Sequence, residues 1–312
     1  MIPEALRSPG LVVRENAPLA GRTTLRIGGP ARWLVDVLDA DSLVAVLQYA
    51  SAERLEVLPL GKGSNLLVPD AGFPGIVLTL VGAFLATRVE PPEVVAGGGV
   101  SLMSLAVATQ RAGLSGLENL SGIPSSLGGA VRINAGSYGS ELFDVLVAVD
   151  VVSRQGDRRT TPAAEIPHGY RWTSLCETDD IVCGATLRLV PKPAGEIAAR
   201  LAEVAAKRKN ALPKQPNAGS IFKNPPGRFA GKLLEECGLK GRRIGGAEIS
   251  PVHANVIVNL GGATAADVRA LMDEMKKAVK EKFGIELVPE IQVLGAAPGR
   301  PAPSVDTAFD GG

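Results

Sequence analysis

From Gly113 to Glu141 the chain reads GLSGLENLSGIPSSLGGAVRINAGSYGSE, about thirty residues with no clear period and many glycines. A loop of that length is uncommon inside a compact domain and is usually functional. A second glycine-rich turn, LGKGSNLLV, lies upstream between two apolar runs. Glycine lets a backbone approach a ligand and exposes its N–H groups, so such loops suit phosphate. Neither is a G-x-x-x-x-G-K-[ST] loop, and neither is a G-x-G-x-x-G joining a strand to a helix. A glycine turn between strands is often purely structural. Two on one chain, with Ser64, Asn65, Ser125 and Ser126 adding hydroxyl and amide donors, point to a pyrophosphate ligand. A dinucleotide cofactor held without a Rossmann fold would supply one.

The rest of the chain alternates short strands with a few helices. RWLVDVL reads as a strand, and DADSLVAVLQYASAE as a helix capped by Asp41 or Ser42. LEVLPLGKGSNLLVPDAGFPGIVLTL is strand, glycine turn, strand and turn, the β-α-β traffic of a small mixed sheet. Pro91-Pro92 is a candidate linker. EVVAGGGV is then a strand, and SLMSLAVATQRAG a helix opened by Ser101. DVLVAVDVVSRQGDRRTT is a strand turning at Gln155-Gly156-Asp157, and DDIVCGATLRLVP is another strand. GEIAARLAEVAAKRKNALP is a helix whose basic last turn suits its dipole. AGKLLEECG is a short helix ended by Gly238, and HANVIVNL is strand-like. The strongest signal is TAADVRALMDEMKKAVKEKFG: Thr264 caps, Asp267 follows three residues on, and Val268, Leu271, Met272, Met275 and Val279 share one face. The tail from residue 296 to 312 is rich in Pro, Gly and Ala and is expected to be disordered.

Charge and composition exclude several function classes. Lys+Arg 33 against Asp+Glu 32 gives no basic footprint for nucleic acid, and 4% aromatics leave few rings to stack on bases. No stretch reaches the ~18 apolar residues of a membrane span, and MIPEALRSPGLVVREN lacks the apolar core of a secretory signal. Cys176, Cys183 and Cys237 form no C-x-x-C pair and leave an odd thiol, which favours a reducing, cytosolic compartment. With two histidines and three scattered cysteines, no dedicated metal site is expected.

The ordered set TTLRIGGPA, LGKGSNLLV, GLENLSGIP-x-x-x-GGA, INAGSYG, GYRWTS, AGSIFKNP, AGKLLEECGLKG, IGGAEIS-x-x-HAN and GIELVPEI resembles the UDP-N-acetylenolpyruvoylglucosamine reductase family of bacterial peptidoglycan synthesis. The motifs run from about Asn16 to about Leu294, nearly the whole chain. The resemblance implies an α+β chain with a two-domain FAD-binding fold of the vanillyl-alcohol-oxidase type and a C-terminal α/β substrate-binding domain. The expected boundaries are 1–90 and 91–194 for the two FAD-binding parts and 195–295 for the substrate domain. It implies non-covalent FAD, NADPH as hydride donor, a UDP-sugar substrate, no nucleic-acid or membrane partner, and a monomer.

In such a reaction hydride reaches C3 of the enol ether and charge builds at C2, delocalised into the carboxylate. The resemblance gives Arg171 in GYRWTS the carboxylate, Ser220 in AGSIFKNP the proton for C2, and Glu290 in VPEI an assisting role. Plainer readings stand beside these. Arg171 could be a surface arginine packed on Tyr170 or Trp172, Glu290 an edge-strand carboxylate, and Ser220 a turn serine after Gly219. Spacing alone favours the turn for Ser220; the resemblance reverses that. His253 in SPVHAN reads as a structural histidine and not as the acid.

By the same resemblance Gly61, Gly63, Ser64 and Asn65 meet the FAD pyrophosphate. Gly122, Ile123, Pro124, Gly128, Gly129 and Ala130 line its other side, with Asn134, Ala135 and Gly136 near the isoalloxazine. Tyr138 packs at the substrate channel, and Lys223 and Asn224 face the UDP portion. Lys207, Arg208 and Lys209 add to this or form a solvated helix end. Departures from the family pattern are Ser125 at a usual glycine, Gly169 at a usual aromatic, Ile133, Ser137, and Val252 at a usual lysine. No tyrosine-bearing insertion separates Arg171 from Ser220, which resembles the shorter class of the family. A flavoprotein oxidase of the same fold is the enzymatic alternative, though neither glycine loop carries a His or Cys to tether flavin. A non-catalytic UDP-sugar-binding protein is the other, though Arg171, Ser220 and Glu290 are all present.

Overall fold

A computed structural model describes residues 2–295; the expectation for the 296–312 tail lies outside them. The chain forms two compact units, the first from Met1–Ala17, Ala31–Gly61 and Pro74–Lys207, the second from Pro18–Pro30, Lys62–Phe73 and Arg208 onward.

The first unit is built on two sheets. One takes the strands Leu11–Pro18, Pro30–Val37, Phe73–Leu80 and Val57–Pro59, in that spatial order. Val57–Pro59 runs parallel to Phe73–Leu80, and helix α1 (Ala40–Ala52) lies in sequence between Pro30–Val37 and Val57–Pro59. The helix cap is Asp39, whose carboxylate accepts from Ser42 N at 2.8 Å; the sequence-based choice of Asp41 or Ser42 falls two or three residues further on, inside the first turn. Trp33, Val35, Leu43, Val46, Leu47, Ile76 and Leu78 fill the core between helix and sheet.

The other sheet is antiparallel and five-stranded, ordered Arg158–Pro162, Leu146–Val152, Ile181–Arg188, Glu93–Gly97, Thr87–Glu90. Pro91-Pro92, read from sequence as a linker, is the turn joining the last two of these strands, Thr87–Glu90 and Glu93–Gly97. Two prolines without N–H groups suit a hairpin end, where no ladder bond is asked of them. Helix α2 (Leu102–Arg111) is capped by Ser101, whose hydroxyl accepts from Ser104 N. Within the long glycine-rich stretch sits a six-residue helix, α3 (Leu127–Arg132), which the sequence hides because two glycines occupy its first turn. Helix α4 (Ala194–Ala211) carries the chain from the first unit to the second.

The second unit has an antiparallel sheet of Asn217–Ser220, Val256–Asn259, Ala247–Ile249 and Arg243–Ile244, with α5 (Ala230–Glu236) and α6 (Ala265–Phe283). Leu66–Leu67 pairs in parallel with Gln292–Val293. α6 has the capping box expected from sequence, Thr264 to Asp267 N and Asp267 back to Thr264 N. Val268, Leu271, Met272, Met275 and Val279 are buried along it against Ile221, Phe222, Leu233, Leu234 and Ile257. Among the described residues no helix is long and apolar enough to cross a membrane.

Met275 is fully buried, so Met275→Ala removes transfer energy and leaves a cavity, at a cost of about 2–5 kcal/mol. Thr264→Ala removes one cap, about 0.5–2 kcal/mol. Urea denaturation should rank them in that order; equal losses would mean that the cap, and not the packed face, anchors α6.

Candidate functional site

In the first unit α3 is seated by backbone hydrogen bonds onto the glycine turn that follows strand Glu93–Gly97. Gly128 N donates to Gly98 O at 2.8 Å, Leu127 N to Val100 O at 2.7 Å, and Gly98 N to Cys183 O at 2.6 Å. A Cβ on Gly128 would stand 2.8 Å from the Val182 carbonyl oxygen, so this position needs glycine for close approach to the sheet. Ser126 caps the helix, its Oγ 3.4 Å from Gly129 N. Ile123, Ala130, Asn134 and Ala135 likewise spend their N–H groups on protein carbonyls. Among the described residues Gly122 and Ser126 donate theirs to no protein acceptor. Gly61 lies against Ser126, where an added Cβ would sit 3.2 Å from the Ser126 Cβ.

Downstream of α3 the backbone is strained. Asn134, Tyr138 and Arg171 all take left-handed conformations, with φ of 45°, 51° and 54°. Non-glycine residues are held there only when their surroundings fix them, and such residues cluster at functional sites. Asn134 is fully buried; its Nδ2 donates to Glu141 Oε2 at 2.6 Å and to Gly169 O at 3.2 Å, and its Oδ1 accepts from Phe143 N at 3.2 Å. Both amide protons of Asn134 are thus spent on protein.

Arg171 sits on the turn between the short paired strands His168–Gly169 and Trp172–Thr173. Its Nη2 donates to Gly136 O at 2.5 Å, its Nη1 is 4.0 Å from Glu141 Oε1, and its guanidinium lies 5.0 Å from the Tyr170 ring centroid. The side chain is 18% exposed, which is not how a surface arginine behaves. Glu141 is a site residue that sequence reasoning missed. Its only signal is a carboxylate two residues beyond the INAGSYG motif, between a serine and an apolar pair. Tyr138 is 39% exposed, with Lys207 Nζ 6.0 Å from its ring centroid and Asn119 Nδ2 donating to its carbonyl at 3.1 Å. Lys207 also pairs with Glu203 at 2.7 Å.

In the second unit the turn Lys62–Asn65 shows a different hydrogen-bond pattern. Among the described residues the N–H groups of Lys62, Gly63, Ser64 and Asn65 donate to no protein acceptor. Gly63 is buried, takes φ 60°, and has no room for a Cβ beside the Arg22 carbonyl. Consecutive uncovered N–H groups on a left-handed turn form an anion-binding concavity, and buried ones call for an acceptor that the protein does not provide. This turn fits a pyrophosphate.

The same turn is tied to two other residues of interest. Asn65 Nδ2 donates to Glu290 O at 3.1 Å, and Gln292 N donates to Asn65 O at 3.0 Å. Glu290 N in turn donates to Ile221 O at 2.8 Å, and Lys223 N to Val288 O at 2.9 Å. Ser220, Glu290, Lys223 and Asn65 are therefore neighbours through their backbones, whereas Arg171 belongs to the first unit. Ser220 ends a bulged strand just after Gly219 at φ 72°, half-buried, and among the described residues its hydroxyl has no protein partner. Asn224 Oδ1 accepts from Ala230 N at 3.1 Å, at the start of α5.

His253 is held by its surroundings. Its Nδ1 accepts from Asn255 N at 3.1 Å, and burial pushes its pKa below the ordinary value near 6.5. Burial also pushes the Cys183 thiol up to about 12, so it is no nucleophile near neutrality.

Residues 211–294 match the family model "UDP-N-acetylenolpyruvoylglucosamine reductase, C-terminal domain", and residues 31–161 match "FAD binding domain". UDP-N-acetylenolpyruvoylglucosamine reductase 2 of Symbiobacterium thermophilum is 42% identical over 297 residues, 95% of this chain and 96% of that protein. The reductase of Bacillus subtilis is 40% identical over 285 residues, covering 91% and 94%. The crystal structure of the Thermus caldophilus reductase aligns with a TM-score of 0.78 at 41% identity, covering 91% of this chain and 98% of that one.

The depressed pKa of His253 has a pH consequence. The unfolded chain takes a proton near pH 6.5 while the folded ring resists it, so the histidine's contribution is intact above that pH and lost as pH falls below it. Between pH 6.5 and 5 the melting temperature of His253→Asn should fall less than that of the wild type. Parallel curves would show that His253 titrates equally in both states.

Proposed function

The chain belongs to the UDP-N-acetylenolpyruvoylglucosamine reductase family, and from that premise we propose that it reduces UDP-N-acetylglucosamine enolpyruvate to UDP-N-acetylmuramate, a step in peptidoglycan precursor synthesis, with FAD as resident cofactor and NADPH as reductant. The observation that carries this reading is the run of N–H groups from Lys62 to Asn65 without a protein acceptor, built around the buried Gly63. Gly61, Gly63, Ser64 and Asn65 would hold the pyrophosphate of FAD, and in the first unit Gly122 and Ser126 also have N–H groups without a protein acceptor among the described residues. When bound, FAD supplies the hydride that NADPH provides and C3 of the enolpyruvyl group receives.

The side chains have two further tasks: to hold the negative charge that grows on the substrate, and to deliver one proton to C2. Arg171 would hold the carboxylate, because a planar guanidinium matches it with two donors and strengthens as charge spreads into it. The Ser220 hydroxyl would donate to C2. A serine is a weak acid, so it serves only a strongly basic carbon centre at fixed distance. Glu290, next to the Ser220 strand through the Ile221 hydrogen bond, would assist electrostatically or by sharing a proton with the carboxylate. Lys223 and Asn224 would meet the UDP portion, Asn224 with its amide donor while its oxygen caps α5. The reactants are small and water-soluble, so the reaction asks for no membrane, no nucleic acid and no second subunit. Three cysteines without disulfides suit the cytoplasm.

In an anaerobic visible spectrum the flavin band of the purified protein should bleach with NADPH and return on adding the enolpyruvyl-UDP-sugar. Ser220→Ala should bleach at the wild-type rate and recover about 10²–10⁴-fold more slowly. Recovery at the wild-type rate would remove Ser220 from the chemistry. Recovery in the wild type only on admitting oxygen would make the protein an oxidase.

A further inference from the structure

The proposed chemistry leaves Glu141 without a part, yet this carboxylate is the most heavily engaged group around Arg171. It accepts from Asn134 Nδ2 at 2.6 Å and from the backbone N–H of Asp144, whose carboxylate returns a bond to Glu141 N at 2.7 Å. Two neutral donors on different segments fix its orientation, and its Oε1 then stands 4.0 Å from Arg171 Nη1. The guanidinium also donates through Nη2 to the carbonyl of Gly136, the residue paired with Glu141, at 2.5 Å, and Gly136 stands two residues before the strained Tyr138. Asn134 adds a third tie by donating to Gly169 O, on the strand that leads into the Arg171 turn.

The geometry points to Glu141 as the positioning residue of Arg171; this rests on the proposed role of Arg171 in holding the substrate carboxylate. Glu141 touches neither substrate nor proton. At 4.0 Å it is too far for a tight ion pair that would compete with a substrate carboxylate, and near enough to orient the guanidinium along one axis. The guanidinium carries several donors on one rigid plane, so the direction in which it presents them to a ligand depends on the groups set around it, and Glu141 is the carboxylate among these. Asn134 serves Glu141: with no exposure and both amide protons committed, it fixes the carboxylate and the Arg171 turn at once. The arrangement selects for a ligand with a carboxylate and leaves the rest of the UDP-sugar to other residues.

The test is affinity for two ligands that differ in that carboxylate, measured by calorimetry on FAD-loaded, oxidised protein. Glu141→Gln and Glu141→Ala should bind the enolpyruvyl-UDP-sugar about 10-fold or more weakly than wild type and bind UDP-N-acetylglucosamine, which lacks the carboxylate, equally well. In an Arg171→Ala background the Glu141→Ala change should add less than about 3-fold, because there is no guanidinium left to orient. Bleaching by NADPH should be unchanged in Glu141→Gln and Glu141→Ala. Equal loss for both ligands, loss of NADPH bleaching, or failure of Glu141→Gln to fold would overturn the inference and make Glu141 a brace of the fold. Wild-type affinity for both ligands would overturn it too. A wild type that fails to recover its flavin band with the sugar would instead sink the underlying functional reading.

Discussion

The hydrogen bond from Gly128 N to Gly98 O sets the first unit's working geometry. It seats a six-residue helix directly on a glycine turn whose own Gly98 N is bonded to Cys183 O on the neighbouring strand. A helix that short has no stability of its own, and its position follows from glycines that permit backbone to meet backbone. Everything that frames Arg171 hangs from this seat. Arg132, in the last turn of α3, reaches the carbonyls of Cys176, Thr178 and Asp180, while its own carbonyl accepts from Thr173 Oγ1 at 2.6 Å. Asn134 follows two residues later and ties the other side of the Arg171 turn through Gly169. A single side chain on Gly128 would lift the helix and move both ties.

Strain and its compensation lie close together here. Three left-handed residues at about 1–3 kcal/mol each are an appreciable fraction of a typical domain's stability. Each is offset locally: Asn134 by three hydrogen bonds, Tyr138 by the Asn119 bond to its carbonyl, Arg171 by Gly136 and Tyr170. In the second unit the compensation is missing where it would be expected. The Lys62–Asn65 turn has the glycine and the left-handed φ, but its N–H groups lack acceptors among the described residues. The two glycine-rich stretches therefore differ in kind. In the longer one most N–H groups are spent on building a platform, and in the shorter one they have no protein acceptor among the described residues, as the proposed pyrophosphate site requires.

That difference explains what could be read from sequence. α6 was legible in full, because cap, capping box and apolar face all agree within one segment. α3 was not, since its stability comes from Gly98 and Val100, about thirty residues upstream, and composition alone argues against a helix. The turn at Pro91-Pro92 looked like a linker because prolines mark both linkers and hairpin ends, and only the pairing of Thr87–Glu90 with Glu93–Gly97 decides. Asn134 was legible as important, through its motif, but not as a residue whose amide faces protein on both sides. Glu141 could not be found by type or spacing, because what singles it out is three partners from separate turns. Arg171, Ser220 and Glu290 were named only through family resemblance; periodicity carried no information about them.

The proposed proton donor is Ser220 and not His253, and the difference between them lies in what each group lacks. A serine meant as a nucleophile needs a base to take its proton, and among the described residues no side chain holds the Ser220 hydroxyl. The same absence suits an acid whose acceptor is a carbanion-like carbon: the hydroxyl is not committed elsewhere, and after donating it can recover a proton from solvent at a half-buried position. His253 fails on both counts. Burial pushes its pKa down, against the protonated ring an acid needs, and its Nδ1 is already an acceptor for Asn255 N, on the loop that leads into the strand paired with Ser220. Protonating it would place a charge in a half-buried setting, against the direction in which its pKa is shifted. The histidine thus shapes the strand that presents the serine.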